Sequence, residues 1–292
     1  MSTIISLQTI LWSALAAAAG IGLPVLVLLV WKFKFCRGAK LFPAVVGAVT
    51  FVVFAQVLEG VPKAIFFGGG TGVSQYVLTH AWAYTLIGCL LAGVFEEVGR
   101  YLAFRFLLKR YTNRRDAVTY GIGHGGIEAI LVLGLTAINN IAIAQLVNSG
   151  SIETITNGLT GAQLDQVQAQ IAAVASFGAA NLLLGLAERA IAMTLHISLS
   201  VVVFRAVRQR KAWYLGLAVA LNIDVIVPFF ERLFNTSFLP QDIYLISKMP
   251  SDPQASDIVP IVVVSLILSF LATLYPSWRA SRVNPAEALR YE

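Results

Sequence analysis

Charge is scarce in this chain: Asp, Glu, Lys and Arg make up 12% of its 292 residues, against 58% hydrophobic. That balance leaves too little polar surface for a water-soluble globule of this size. Cysteine is scarce too. Cys36 lies beside a basic cluster and Cys89 inside an apolar run, so neither favours a disulfide, and two cysteines alone do not make a zinc site. A Walker-type phosphate loop is missing, so any ATP-driven role needs a separate ATPase. A His-Glu-x-x-His helix is missing as well, which excludes the usual zinc-protease signature.

What is present is apolar runs. A helix needs ~20 predominantly apolar residues to cross ~30 Å of hydrocarbon. The runs predict an all-α fold, a polytopic membrane helix bundle of about seven transmembrane helices. They lie near Ile5–Val30, Leu41–Leu58, Ala81–Leu108, Ala117–Leu146, Leu182–Val207, Trp213–Phe230 and Ile258–Tyr275. The fourth and fifth have room for internal breaks. The first is too long, and lacks the preceding basic segment, for a cleaved signal, so it reads as a retained helix.

The formal charge of +6 does not mark a nucleic-acid surface. Sixteen of the 21 Lys and Arg residues fall in four clusters, Lys32–Lys40, Arg105–Arg115, Arg205–Lys211 and Arg279–Arg290. Alternating spans put all four on one side. The positive-inside rule makes that side cytoplasmic, with the N-terminus outside and the C-terminus inside. Between spans, Val61–His80 carries the glycine run Gly68–Gly70 and reads as a loop or re-entrant element. Asn148–Gln170 reads as a surface helix following Thr160, and Thr236–Asp257 as a non-helical connection.

Three stretches place ionisable groups inside apolar runs, where each costs at least ~2.5–3.5 kcal/mol unless paired or used. In FEEVGR, Arg100 follows Glu96 by four residues and Glu97 by three, so either carboxylate reaches it on a helix. One glutamate is then held by the arginine while the other binds a metal or acts as general base; the plainer reading is an interfacial ion pair. In GHGGIE, His124 and Glu128 share a face at i, i+4, and Gly121, Gly123, Gly125 and Gly126 let a neighbouring backbone approach. Tight packing accounts for the glycines but not for Glu128. In ERAIAMTLH, Arg189 and His196 share a face, and Glu188 with Arg189 reads as a structural pair. A lone His196 would read as a core imidazole; beside a second intramembrane histidine it becomes a candidate ligand. His80 reads as an interfacial residue.

Together these supply two histidines and up to three carboxylates, enough for the three N/O ligands of a catalytic zinc site. The candidate set is Glu96, Glu97 and Arg100 for catalysis and His124, Glu128 and His196 for a divalent metal, zinc being the expected ion. The chemistry expected is metal-assisted hydrolysis within the bilayer.

The motifs FEEVGR, GIGHGGIEAI and TLHISLS resemble the YhfC family of intramembrane metallopeptidases, which is distantly similar to the CAAX-protease and PrsW-type membrane proteases. The resemblance covers residues 1–211 and implies peptide-bond hydrolysis, with Glu96 or Glu97, His124 and His196 at a metal site. It implies an integral protein of the bacterial inner membrane. Its partners would be membrane lipid and a membrane protein or peptide substrate, with no nucleic acid. Such proteases generally carry a further histidine followed four residues later by Asp or Asn. No histidine follows His196 here, and Asn222 and Asp224 occupy that region, so a weak or degenerate activity is expected. From residue 212 to 292 the chain resembles the C-terminal end of LolC/LolE lipoprotein-releasing ABC permeases, through LNIDVIVPFFERLF, FLPQDIYLISKMPSDPQ and LSFLATLYPSWRASRVNPAEALRYE. Two other functions therefore stand beside the peptidase: a permease component, which alone would need an ABC ATPase partner, and a non-catalytic membrane scaffold.

Overall fold

A computed structural model describes residues 4–222, and among them every regular element is helical. The helices are α1 (Leu7–Val30), α2 (Phe42–Phe51), α3 (Gly60–Phe67), α4 (Gly72–Thr79), α5 (Ala81–Leu102), α6 (Arg114–Ala129), α7 (Thr136–Asn148), α8 (Glu153–Thr156), α9 (Ala162–Ala175), α10 (Ala179–Gln209) and α11 (Trp213–Asn222). Four short π-helical stretches, Trp31–Phe35, Val52–Leu58, Ala103–Leu107 and Ile130–Leu135, extend or join these helices without breaking the rod. Among the described residues four rods are long and apolar enough to cross a bilayer: Leu7–Phe35, Phe42–Phe67, Arg114–Asn148 and Ala179–Gln209. A fifth candidate joins α4 to 83–107 through a bend of 105°. The chain is thus a polytopic membrane helix bundle.

Several sequence expectations meet specific structural outcomes. The second run continues past Leu58 to Phe67, with the π stretch at Val52–Leu58 leading on to α3. The fourth run is one rod with a π stretch in its middle, and the fifth is an unbroken helix of 31 residues. Val61–His80 is two short helices flanking the glycine run, α4 being opened by a reciprocal Thr71–Ser74 cap. α9 starts after Gly161, whose φ of +57° turns the chain into the helix, and not directly after Thr160. The rest of the sixth run, the loop Thr236–Asp257, the seventh run and Asp224 lie outside the described residues.

Helix α6 is the centre of the bundle and packs most extensively on α2 and α10. Lipid offers no hydrophobic penalty to drive helices together, so close backbone packing has to do it. The glycines of α6 make that packing possible on three sides. A Cβ on Gly121 would lie 2.6 Å from Ile197 Cα of α10, one on Gly126 would meet Pro24 of α1, and one on Gly123 would overlap the Ala44 carbonyl of α2. Gly47 of α2 returns the contact against the Tyr120 and His124 backbone. On the same scale Gly20 and Gly134 bring α1 onto the rod that continues α6. At the basic end, Asn113 and Asp116 cap α6 through Asn113 N–H donating to Asp116 Oδ2 at 3.1 Å, and Trp31 Nε1 donates to Thr119 Oγ1 at 2.9 Å.

Gly123→Ala is therefore expected to destabilise the protein by about 1–3 kcal/mol or more, as overpacking does. Gly22→Ala is the matched control. It lies in α1 with nothing within 4 Å of the added methyl, and is expected to be neutral or to stabilise by about 0.4–1 kcal/mol. Equilibrium unfolding in detergent checks both; equal midpoints for the two variants would refute the packing argument.

Candidate metal centre

The glycine contacts that seat α6 against α10 put His124 and His196 side by side, with ring centroids 5.1 Å apart. α5 brings up Glu96, Glu97 and Arg100 at i, i+1 and i+4, close enough round the helix to share a face. Arg100 and Glu97 are fully buried, as is His124; His196 and Glu96 are nearly so. Burial at this depth needs mutual satisfaction, and the contacts supply it. Arg100 Nη1 donates to Glu97 Oε1, and its Nη2 lies 3.2 Å from Glu96 Oε2 and 2.5 Å from His196 Nδ1. Glu96 Oε2 is also 3.4 Å from His124 Nε2 and 3.6 Å from His196 Nδ1. One donor atom each from Glu96, His124 and His196 lies within 4.8 Å of the other two.

Glu128 belongs to the same cluster but meets the ring of His196 from the other side. Its Oε2 lies against His196 Nε2, and its Oε1 accepts from Arg189 Nη1 at 2.8 Å. Arg189 also pairs with its neighbour Glu188. The pair expected from the sequence is thus one end of a larger network that crosses from α10 to α6. His80 caps the C-terminal end of α4, where its Nδ1 is within 2.8 Å of the Tyr76 carbonyl oxygen, remote in the chain from this cluster.

Asn222 enters from α11. Its Nδ2 donates to Glu97 Oε1 at 2.9 Å and to Glu96 Oε2 at 3.3 Å, with Ala218 fully buried one turn earlier. α11 packs on α5 and α10, so the helix that begins just past residue 212 takes part in the same cluster as residues 96–196. Tyr120, one turn before His124 on α6, stacks on that imidazole, and Phe51 meets it edge-on. The spacing of Tyr120 to His124 was a readable sign of this; the arrival of Phe51 from α2 was not.

The donor set suits a divalent ion in number, and Glu96 stands at ligand spacing from both imidazoles. Bonds of ~2.0–2.1 Å in a tetrahedron put neighbouring donors ~3.3–3.4 Å apart, and the two distances from Glu96 are 3.4 and 3.6 Å. Three protein donors are the number a catalytic zinc site uses. That number is reached here without the further histidine that the resemblance leads one to look for. The Arg100 guanidinium standing against two of the donors means that they already face positive charge.

Fold and site together define a polytopic helical membrane protein with a carboxylate–imidazole centre buried among its helices. Comparison with known proteins names the group: a family model described as YhfC intramembrane metalloprotease matches residues 20–244, and the chain belongs to that family. It is 37% identical over 225 residues to the membrane protein YhfC of Bacillus subtilis (strain 168), a match covering 77% of this chain and 85% of that one. A shorter match is to the lipoprotein-releasing system transmembrane protein LolC of Xylella fastidiosa (strain 9a5c), 48% identical over 77 residues, 26% of this chain and 19% of LolC. LolE of Haemophilus influenzae is 33% identical over 75 residues, covering 26% of this chain and 18% of its own. The chain therefore spans only about a fifth of the permease relatives' length. No solved structure matches it.

Proposed function

We propose that this protein is an intramembrane metal-dependent peptidase of the bacterial plasma membrane, hydrolysing a peptide bond of a membrane protein or peptide within or near the bilayer. The observation that carries this reading is the convergence of Glu96, His124 and His196 donor atoms from three helices. Two imidazoles and a carboxylate are a donor set that a zinc ion accepts.

In this reading Glu96, His124 and His196 hold the ion, which would supply an acidified water and polarise the scissile carbonyl. Glu97 is the proton acceptor. Its Oε1 is held by Arg100 and Asn222, while its buried Oε2 has no hydrogen-bond partner among the described residues, which leaves its lone pairs for a proton. Arg100 anchors both glutamates, and Phe51 and Tyr120 hold the His124 ring. One observation favours the scaffold reading instead: Arg100 already satisfies Glu96 and His196. Metal content of the purified protein separates the two, and the scaffold reading requires none in any variant.

Arg208 donates to the carbonyls of Leu108, Lys109 and Tyr111, Lys40 lies over the Tyr111 ring and Gly38 lies beside Arg115, so three basic clusters share one end of the bundle. By the positive-inside rule we infer that this end is cytoplasmic. Single cysteines replacing Lys34, Arg114 and Arg208 are expected to resist a membrane-impermeant reagent in intact cells and to react in inverted vesicles. Labelling of any of them from outside would reverse the orientation.

A further inference from the structure

The two ring nitrogens of His196 face unlike partners. On one side Nδ1 lies 2.5 Å from Arg100 Nη2 and 3.6 Å from Glu96 Oε2. A guanidinium offers only donors, so Nδ1 must present its lone pair there. On the other side Nε2 lies against the carboxylate of Glu128, which offers only acceptors when ionised. The opposite tautomer would aim an N–H at Arg100 and a lone pair at Glu128, with repulsion at both ends. Glu128 is itself held, its Oε1 accepting from Arg189 Nη1 at 2.8 Å. Arg189 stands seven residues before His196 on the same face of α10, and Glu128 stands four after His124 on the same face of α6.

We propose that Glu128 and Arg189 are positioning residues: Glu128, anchored by Arg189, accepts the Nε2–H of His196 and so keeps the Nδ1 lone pair aimed at the Glu96–His124 side of the cluster. Glu128 thereby has a role distinct from that of a metal ligand. A carboxylate on the far nitrogen of a ligating histidine fixes its tautomer and raises its basicity, and loss of such a partner typically weakens metal affinity about 10–100-fold. The arrangement also accounts for Arg189 having a carboxylate on the neighbouring helix besides Glu188 beside it in sequence. The inference deepens the metal-site reading and rests on it for the affinity readout, but the tautomer is a property of the protein without metal.

The test uses the full chain in detergent micelles with 15N-labelled histidine, the three ring systems being assigned through His80→Gln and His124→Ala. In the metal-free wild type His196 is expected as the neutral Nε2–H form. Glu128→Ala and Arg189→Ala are expected to mix the tautomers and to weaken zinc binding about 10–100-fold in a chelator competition. Glu128→Gln keeps an acceptor oxygen in place and is expected to keep the tautomer, which a merely structural role for Glu128 would not require. An Nδ1–H or doubly protonated His196 in the wild type overturns the proposal without any variant having to fold. Unchanged tautomer and affinity in both alanine variants overturn it while leaving the metal site standing. Absence of zinc binding in a wild type that shows the Nε2–H form defeats the metal reading and, with it, the role of the pair in metal binding.

Discussion

Purified wild-type protein is expected to carry about one zinc ion per chain, and His124→Ala and His196→Ala less than about a tenth of that, because a three-donor site loses its closed geometry with any one donor. The two histidines come from α6 and α10 and neither replaces the other: His124 faces Glu96 through Nε2, His196 through Nδ1. Glu96→Gln should behave as the histidine variants do, since its Oε2 is the atom that both imidazoles approach. Metal analysis after purification without chelators reads the effect directly. Wild-type protein that stays metal-free after exposure to zinc would leave the scaffold reading in possession of the cluster. Histidines introduced at Ala220 or Leu221 should not change the result, because both side chains are exposed and point away from Asn222's side of α11, whereas Ala218 faces the buried side.

Glu97→Gln is expected to separate chemistry from metal binding. It should retain zinc yet lower cleavage of a membrane-embedded reporter peptide by about 10²–10⁴-fold, the usual contribution of a positioned general base. The amide preserves the size of the side chain and an oxygen for Arg100 and Asn222, so positions are kept while the basic lone pairs go. The substitution also removes one negative charge beside a buried guanidinium. Breaking a buried pair can cost about 3–5 kcal/mol, so thermal unfolding must accompany the assay. A Glu97→Gln variant that folds, holds zinc and cleaves like the wild type would move the proton-acceptor role elsewhere. Arg100→Met should be harsher on the fold than on any single step, since it strands Glu96 and Glu97 together in a buried place.

What the sequence determined by itself rests on local rules. Apolar run length made the chain a bundle of membrane helices, and the four rods are near the predicted spans because helix formation in lipid is enforced within each segment. Helical spacing put Glu96, Glu97 and Arg100 on one face, and likewise His124 with Glu128 and Arg189 with His196. The cost of charge in hydrocarbon marked all three motifs as worth pairing. Which motif pairs with which was decided only by the tertiary structure. Glycine contacts on three sides of α6 set its depth and rotation against α2 and α10, and these terms depend on backbones distant in sequence. A rotation of α6 by one residue would carry Glu128 about 100° around the helix and away from His196. The same packing turned Glu128 toward the outer nitrogen of His196, gave Arg189 a partner beyond Glu188, and brought Asn222 across from α11. Spacing along one helix specifies a face; only the neighbouring helices specify what that face meets.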